Sequence, residues 1–339
     1  MMHKLYGRDL ITIQDWSLSE IEETLEVAKE MERARYTNQY KDALKNKTFF
    51  MMFYNPSVRT RQSFETAATE LGGHAQFLEP KTMRLREKGK AGETIEDAAK
   101  VMSRYGVGIG IRILEDAIEK YGDGDFILRE YAKYADIPIV SMAHDKCHPC
   151  QALADMMGML EHLRDVKRKK LVMMWGYSTM VRSWSSVHAN LLISSMFGMD
   201  IKLVYPEGYD LDADVMNMVK DNSKKSNSSF EIVSGNLNDL KKSLEGADVV
   251  YSRNWMSPKR YDWGKDKEIE MANQHKDWIL SKELMKLTND AYFIHPMPVD
   301  RGNEVEDEVA SSKNSIIYDI AENRLHVQKA VMALTMGNL

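Results

Sequence analysis

Apolar positions in this chain fall into two textures, short unbroken runs and longer stretches with apolar residues three or four apart. Phe49-Phe50-Met51-Met52-Phe53 is of the first kind, long enough only for a buried strand, and it stops at Asn55-Pro56. Phe64, Ala67, Ala68 and Leu71 then recur at helical spacing, which predicts a helix from Ser57 to the Gly72-Gly73 pair. Upstream, Ile21, Leu25 and Ala28 line one face of a helix over 16–36, with Ser17 or Ser19 as its cap. Downstream the pattern predicts a strand over 75–78, an aperiodic basic loop over 81–92 and a helix over 93–105. A strand over 107–113, a helix over 116–134, a strand over 137–142 and a helix from 147 to about 163 follow. After the basic link 167–170 the rhythm restarts. It gives strands at 171–175, 201–205, 231–233, 249–251, 292–294 and 316–317, and helices over 184–197 and 213–220. A polar turn over 221–229 and a closing amphipathic helix over 320–336 complete the reading. Strand and helix alternate in both halves, so the expected fold class is α/β: two doubly wound parallel-sheet domains joined by long helices.

The Ser57 turn carries the first chemical signal. Ser57 stands where an N-cap belongs, and Arg59, Thr60 and Arg61 fill the first helical turn. Free N–H groups make that turn partly positive, so arginines there oppose the helix dipole unless an anion docks on them. Backbone N–H groups, hydroxyls and guanidinium forks together describe a phosphate or carboxylate cradle. Arg112, His148, Arg253 and His295 all fall at or just past predicted strand ends, where ligands bind in parallel sheets.

Composition narrows the class. The 339 residues carry a formal net charge of −5, and no lysine-arginine run dominates its surroundings, which argues against nucleic acid as partner. No apolar stretch approaches membrane-spanning length, and the charged N-terminus has no signal-peptide core; a cytoplasmic location without membrane association is expected. The two cysteines lie in Cys147-His148-Pro149-Cys150, with His144 just upstream. A closed metal site needs four ligands, and no second Cys or His pair stands at finger-like spacing, so no metal is expected.

Four motifs then fall in register: Ser57-Val58-Arg59-Thr60-Arg61, Gly108-Ile109-Gly110-Ile111-Arg112, His148-Pro149-Cys150-Gln151 and His295-Pro296-Met297-Pro298. In order and spacing they resemble the aspartate/ornithine carbamoyltransferases over essentially the whole chain, and 322–329 resembles the N-acetylornithine branch. The resemblance implies a donor-binding domain over 1–150 plus 320–339 and an acceptor-binding domain over 151–319. It also implies small-molecule substrates, carbamoyl phosphate and an amino acid derivative, and a homotrimer with active sites between subunits. By the same resemblance Ser57, Val58, Arg59 and Thr60 clamp the phosphate. Arg112, His148 and Thr60 are the catalytic donors to the carbonyl oxygen. Gln151, the backbone carbonyls of His295 and Pro296, and Arg324 hold the rest of the carbamoyl group. No cofactor is needed, because the departing phosphate can take the amine's proton.

The acceptor side departs from any one branch. Ornithine-type members have His-Cys-Leu-Pro, and here Pro296 replaces the cysteine, as in aspartate-type members. Tyr251-Ser252-Arg253-Asn254-Trp255 resembles the N-acylornithine branch, in which a lysine occupies the position of Arg253. Ornithine-type enzymes have a nearby aspartate for the α-amino group, and an arginine reverses that charge. Arg253, Trp255, Met297 and Lys329 are therefore the expected acceptor-binding residues. The expected acceptor is an N-acylornithine or a related diamino or ureido acid, with aspartate as the alternative. The branch's knotted backbone stays open, since 175–184 has the length of its proline-rich connection but no proline. Arg84, Arg86, Lys88 and Lys90 are candidates to reach a neighbouring subunit's anion. A non-catalytic carbamoyl-phosphate-binding relative would not need the Arg112-His148-Gln151 set. A nicotinamide-dependent dehydrogenase would need a Gly-x-Gly-x-x-Gly turn, which 173–178 lacks.

Overall fold

A computed structural model describes residues 3–85, 91–180, 182–337 and 339. The chain divides into two compact units, Met1–Ala154 with Asn323–Leu339, and Asp155–Glu322. Both are parallel-sheet α/β units.

In the first unit, α1 (Leu18–Arg33) precedes β1 (Thr48–Phe53), α2 (Val58–Glu70), β2 (His74–Leu78), α3 (Ile95–Tyr105), β3 (Gly108–Ile113), α4 (Asp123–Tyr134) and β4 (Ile139–His144). The strands stand in the order β2-β1-β3-β4, every pair parallel. Next, α5 (Pro149–Leu163) carries the chain past the unit boundary. The second unit continues with β5 (Lys170–Trp175), α6 (Ser185–Met196), β6 (Asp200–Tyr205), α7 (Ala213–Lys225), β7 (Phe230–Ser234), α8 (Leu237–Leu244) and β8 (Val249–Arg253). Short helices α9 (Arg260–Trp263), α10 (Lys265–Ala272) and α11 (Lys282–Met285) lead to β9 (Tyr292–Ile294), α12 (Asp307–Ala310) and α13 (Ile317–Met336). The second sheet runs β7-β6-β5-β8-β9, again parallel throughout. Strand order reverses between β1 and β3 in one sheet and between β5 and β8 in the other. Such reversals open a crevice at the strands' carboxyl ends, where ligands bind.

Local physics accounts for the strands. Residues 49–53 of β1 and all of β8 are buried, as central strands covered on both faces must be, and edge strand β4 is buried too, with Leu10 bridged to its Val140. Four expectations need correction. The polar turn expected over 221–229 is confined to 226–229; residues 221–225 are the last part of α7, because Asn222 and Ser223 face inward and Asn222 Nδ2 donates to Ser195 Oγ at 3.3 Å. The helix expected from 116 starts at Asp123; a 3-10 turn at Glu115–Ala117 and Gly122 at φ +97° come first. Ile316 and Ile317 form no strand, and Ile317 opens α13, since a two-residue apolar run cannot separate a strand from a buried helix start. The closing helix is not amphipathic: Asn323, Arg324, His326, Gln328, Lys329 and Thr335 are as buried as its apolar residues. Among the described residues no helix is long and apolar enough to cross a membrane.

Candidate active site

The Ser57 turn hangs on the β1–β3 pair. Phe53 lies in register with Arg112, Tyr54 N donates to Arg112 O at 2.9 Å, and Leu114 N donates to Asn55 Oδ1 at 2.7 Å. These bonds hold the start of α2 beside the end of β3. Ser57 is extended at φ −160° and its Oγ accepts from Thr60 N at 3.3 Å, an N-cap as the sequence reads. Val58 is exposed, so its side chain contributes nothing to a core. Arg59 is half-buried and Thr60 is buried.

Arg324, on α13, joins this turn to α5. Its Nη2 donates to Thr60 Oγ1 at 3.2 Å and its Nη1 to Gln151 Oε1 at 3.1 Å. Thr60, Gln151, Arg324 and His148 are each at least nine-tenths buried. Burial pushes the Arg112 guanidinium down to about 10; Arg324 and Arg59 add to that push, and Glu115 opposes it. Arg112 remains charged at neutral pH, with Nε buried and without a hydrogen-bond partner. The first unit thus gathers Ser57, Arg59, Thr60, Arg112, Gln151 and Arg324 from α2, β3, α5 and α13. Like charges that act on a buried guanidinium, as Arg324 and Arg59 act on Arg112, make an environment that favours an anion. Arg61 does not belong to the group: its Nε pairs with Glu65 at 3.0 Å and its guanidinium lies over Phe77, 4.1 Å from the ring centre.

Cys147 and Cys150 are buried and free, and burial pushes both thiols up to about 12, so they are inert small residues at neutral pH. Among the described residues no group of His, Cys, Asp and Glu could hold a metal ion.

In the second unit the crevice lies between Trp175 and Arg253, which face each other in register. Glu304 organises it. This fully buried carboxylate accepts from Asn254 N at 2.8 Å, Asp300 N at 2.9 Å and His295 Nε2 at 3.1 Å, and Arg182 Nη1 stands 3.8 Å away. Burial by itself would raise its carboxyl; His295, Arg182 and Arg253 outweigh that and hold it at about 2. Burial pushes His295 down to about 4 against the pull of Glu304. A neutral His295 has both nitrogens engaged, Nε2–H donating to Glu304 and Nδ1 accepting from Met297 N at 2.8 Å. Met297 is held at φ +59°, a left-handed conformation rare for a residue with a side chain. Arg253 is 9 % exposed, and its Nε and Nη1 have no hydrogen-bond partner. Arg182 Nη1 donates to Pro298 O at 2.7 Å.

Two expected acceptor residues are engaged otherwise. Trp255 is fully buried, its Nε1 donates to Tyr209 O at 2.8 Å and its ring meets Tyr205 edge-on, so its indole is a core group. Lys329 is buried in the first unit, with Nζ paired to Glu70 at 2.8 Å and Arg35 on the same carboxylate at 3.2 Å. Glu70 ends α2, about 15 Å of helix from Thr60. Arg84 is exposed, at φ +51°; Arg86, Lys88 and Lys90 lie outside the described residues. The sequence reading did not single out Glu304 or Arg182. Glu304 stands nine residues beyond His295 with no local pattern to mark it.

Comparison with known proteins decides the family. Residues 8–161 match the model of the aspartate/ornithine carbamoyltransferase carbamoyl-P binding domain, and residues 167–335 match that of the Asp/Orn binding domain. The chain belongs to the aspartate/ornithine carbamoyltransferase family. It is a carbamoyltransferase, and its substrates are small molecules. It is 37 % identical to the anabolic ornithine carbamoyltransferase of Pyrococcus furiosus, over 100 % of this chain and 99 % of that protein. It is 34 % identical to the N-acetylornithine carbamoyltransferase of Xanthomonas campestris, over 97 % of this chain and 98 % of that protein. The crystal structure of acetylornithine transcarbamylase complexed with acetylcitrulline superposes with a TM-score of 0.89 at 33 % identity, covering 98 % of this chain and 100 % of the other. A variant of N-acetyl-L-ornithine transcarbamylase complexed with carbamyl phosphate and N-succinyl-L-norvaline gives 0.88 at 34 % identity, covering 96 % and 99 %. These structures belong to the branch that the sequence motifs resemble.

Proposed function

We propose that the enzyme transfers the carbamoyl group of carbamoyl phosphate to the amine of an acceptor that carries a carboxylate and lacks a free α-amino group, of the N-acylornithine or diamino- or ureido-acid kind. The observation that carries the donor half is a pair of links: Arg324 bonds Thr60 and Gln151, and the Arg59 and Arg324 guanidiniums both act electrostatically on Arg112. A phosphate dianion compensates that charge, with Ser57, Arg59, Thr60 and the N–H groups of the α2 start as its donors. Attack of the amine nitrogen on the carbamoyl carbon makes a tetrahedral intermediate. Arg112, His148 and Thr60 stabilise its oxyanion, and Gln151 and the carbonyls of His295 and Pro296 orient the NH₂. Collapse breaks the bond to the phosphate oxygen, and the departing phosphate takes the amine's proton. Positioning and electrostatics carry the reaction without a covalent nucleophile.

Arg253 supports the acceptor half. A buried guanidinium with two unpartnered nitrogens is costly to leave so, and a carboxylate or acyl oxygen satisfies it. Glu304 already accepts three hydrogen bonds and has Arg182 at 3.8 Å, so most of its accepting capacity is taken up within the unit. Aspartate is the second reading, favoured by His295-Pro296-Met297-Pro298. A cytoplasmic homotrimer with active sites between subunits belongs to the same proposal; Phe77, exposed on edge strand β2, supports association there.

The test is a panel of amines assayed for carbamoyl-phosphate-dependent phosphate release. N-acylated ornithines or diamino acids are expected to lead. The acceptor reading fails if free ornithine is the best substrate, and aspartate in first place installs the second reading.

A further inference from the structure

The β4–α5 turn that delivers His148 and Gln151 is tied to a helix with no part in the chemistry. The N-cap of α4 is Gly122, which has no side chain to offer the free N–H groups of the first turn. Asp145 supplies the missing cap from the other element. Its Oδ2 accepts from Gly122 N, and its Oδ1 accepts from Asp125 N at 3.0 Å and from Lys146 N at 3.1 Å. The carboxylate is fully buried, and the positive end of α4 is where a buried negative charge is best tolerated.

Fit at this point is tight. A Cβ on Gly124 would stand 2.6 Å from Asp145 Oδ1, so only glycine lets the first turn of α4 approach. His144 completes the joint. Its ring is buried between Ser141 Oγ, 2.8 Å from Nδ1, and Asp125 Oδ1, 3.4 Å from Nε2. His144 N donates to Cys147 O at 3.0 Å, closing the turn directly before His148.

We infer that Asp145 is a positioning residue for the carbamoyl end of the donor: by capping α4 it fixes the turn that presents His148 and Gln151. The inference rests on the donor assignments proposed above. Phosphate is held there by the α2 turn, bridged to Gln151 through Arg324 but anchored to β3 by its own bonds at Tyr54 and Asn55, and that separate anchorage gives the joint a signature that general damage to the unit lacks. Loosening the turn weakens the grip on the carbamoyl group and spares the grip on phosphate.

Asp145→Asn keeps the side chain's size and one acceptor oxygen but removes the charge. In the full-length enzyme its KM for carbamoyl phosphate is expected to rise on the order of tenfold to a hundredfold, as misplaced reacting groups cost. Its affinity for inorganic phosphate, measured by calorimetric titration, is expected to stay within about twofold, inside the scatter of additive effects. Gly124→Ala, which drives a methyl group into the same carboxylate from the helix side, is expected to show the same split. The double variant is expected to be no worse than the worse single, because both break one joint. Equal losses for phosphate and carbamoyl phosphate, an unchanged KM, or additive effects of the two substitutions each overturn the inference. Arg59→Ala keeps the two levels distinguishable. If it abolishes phosphate binding, the donor reading stands whatever Asp145→Asn does; if phosphate still binds, the donor reading itself has failed.

Discussion

At the switch point of the first sheet, Arg59, Arg112 and Arg324 come together with Glu115 as the opposing carboxylate, and Arg112 is pushed down to about 10. At the switch point of the second, Arg182 and Arg253 stand around Glu304, which is pulled down to about 2. The first cluster is rich in guanidiniums, the feature on which the proposed dianion site rests. The second is mostly neutralised from within and leaves one guanidinium, Arg253, with unpartnered nitrogens. A site with open charge takes its ligand by electrostatics, and a balanced site takes it by fit and by the group left unpaired. Donor recognition can therefore be rigid across a family while acceptor recognition varies with one or two residues.

The largest effect should come from opening the first cluster further. In the proposed mechanism Arg112→Ala removes an oxyanion donor, and kcat should fall on the order of a hundredfold to a thousandfold. Arg59→Ala should abolish measurable carbamoyl phosphate binding, with the circular dichroism spectrum unchanged. Steady-state kinetics and titration calorimetry check both; full activity in either variant removes the donor cluster from the mechanism.

Next comes the orphan in the second cluster. Arg253→Ala should raise the acceptor KM on the order of tenfold to a hundredfold, the value of one or two charge-assisted hydrogen bonds. The KM for carbamoyl phosphate should not move. Arg253→Lys should recover part of the loss, since an ammonium keeps the charge but not the fork. A carbamoyl phosphate KM that moves in step with the acceptor KM would break the contrast between the clusters.

The second cluster should also set the acid limit. His295 titrates at about 4 in the folded chain and at about 6.5 when unfolded. The unfolded state therefore binds the proton first, and stability is lost as pH falls from about 6.5 towards 4. Glu304, at about 2 folded and about 4.3 unfolded, contributes stability that is present above its unfolded value and lost as pH falls below it. The protection of β8 and β9 amides, measured as exchange relative to the unstructured rate at each pH, should fall through the first window and again through the second. Glu304→Gln should abolish the second step, at the cost of a destabilisation of about 3–5 kcal/mol for a broken buried pair. Protection in these strands that is unchanged from pH 7 to 4 would show that the pair carries no such linkage.

Legibility in the sequence follows the same division. The residues proposed for the donor stand out in the sequence because they sit next to strand ends and a helix cap, and local pattern marks both places. Ser57 as N-cap, Thr60, Arg112 and Gln151 all lie where strand–turn–helix logic puts them, and the structure links the turn to Arg324. The acceptor cluster depends on Glu304 and Arg182, brought to Arg253 by chain reversals that leave no periodic trace. Trp255 and Lys329 misled for one reason. An indole next to Arg253 and a lysine near Arg324 look like site residues in one dimension, yet each is buried against a fixed partner, Tyr209 O for one and Glu70 for the other. Polar residues on buried faces, as in α7 and α13, hid helix ends for the same cause. The cap of α8 was locally visible, with Asn236 and Asp239 in a capping box, but the helix offers too few apolar positions for periodicity to show.

The smallest effect tests how far the donor cluster extends. Arg59 and Arg61 are two residues apart in the first turn of α2, and the same dipole argument applies to both. The structure separates them by what they touch: Arg59 is half-buried and acts on Arg112, while Arg61 is an exposed partner of Glu65 lying over Phe77. An exposed i,i+4 ion pair contributes about 0.3–0.5 kcal/mol, and a surface cation–π contact about 0.5–1 kcal/mol. Arg61→Ala should therefore change the midpoint of thermal unfolding by no more than a few degrees and leave the carbamoyl phosphate KM within about twofold. A KM that climbs as steeply as expected for Arg59→Ala would mean that the anion is held by the helix turn as a whole, not by three guanidiniums converging from α2, β3 and α13.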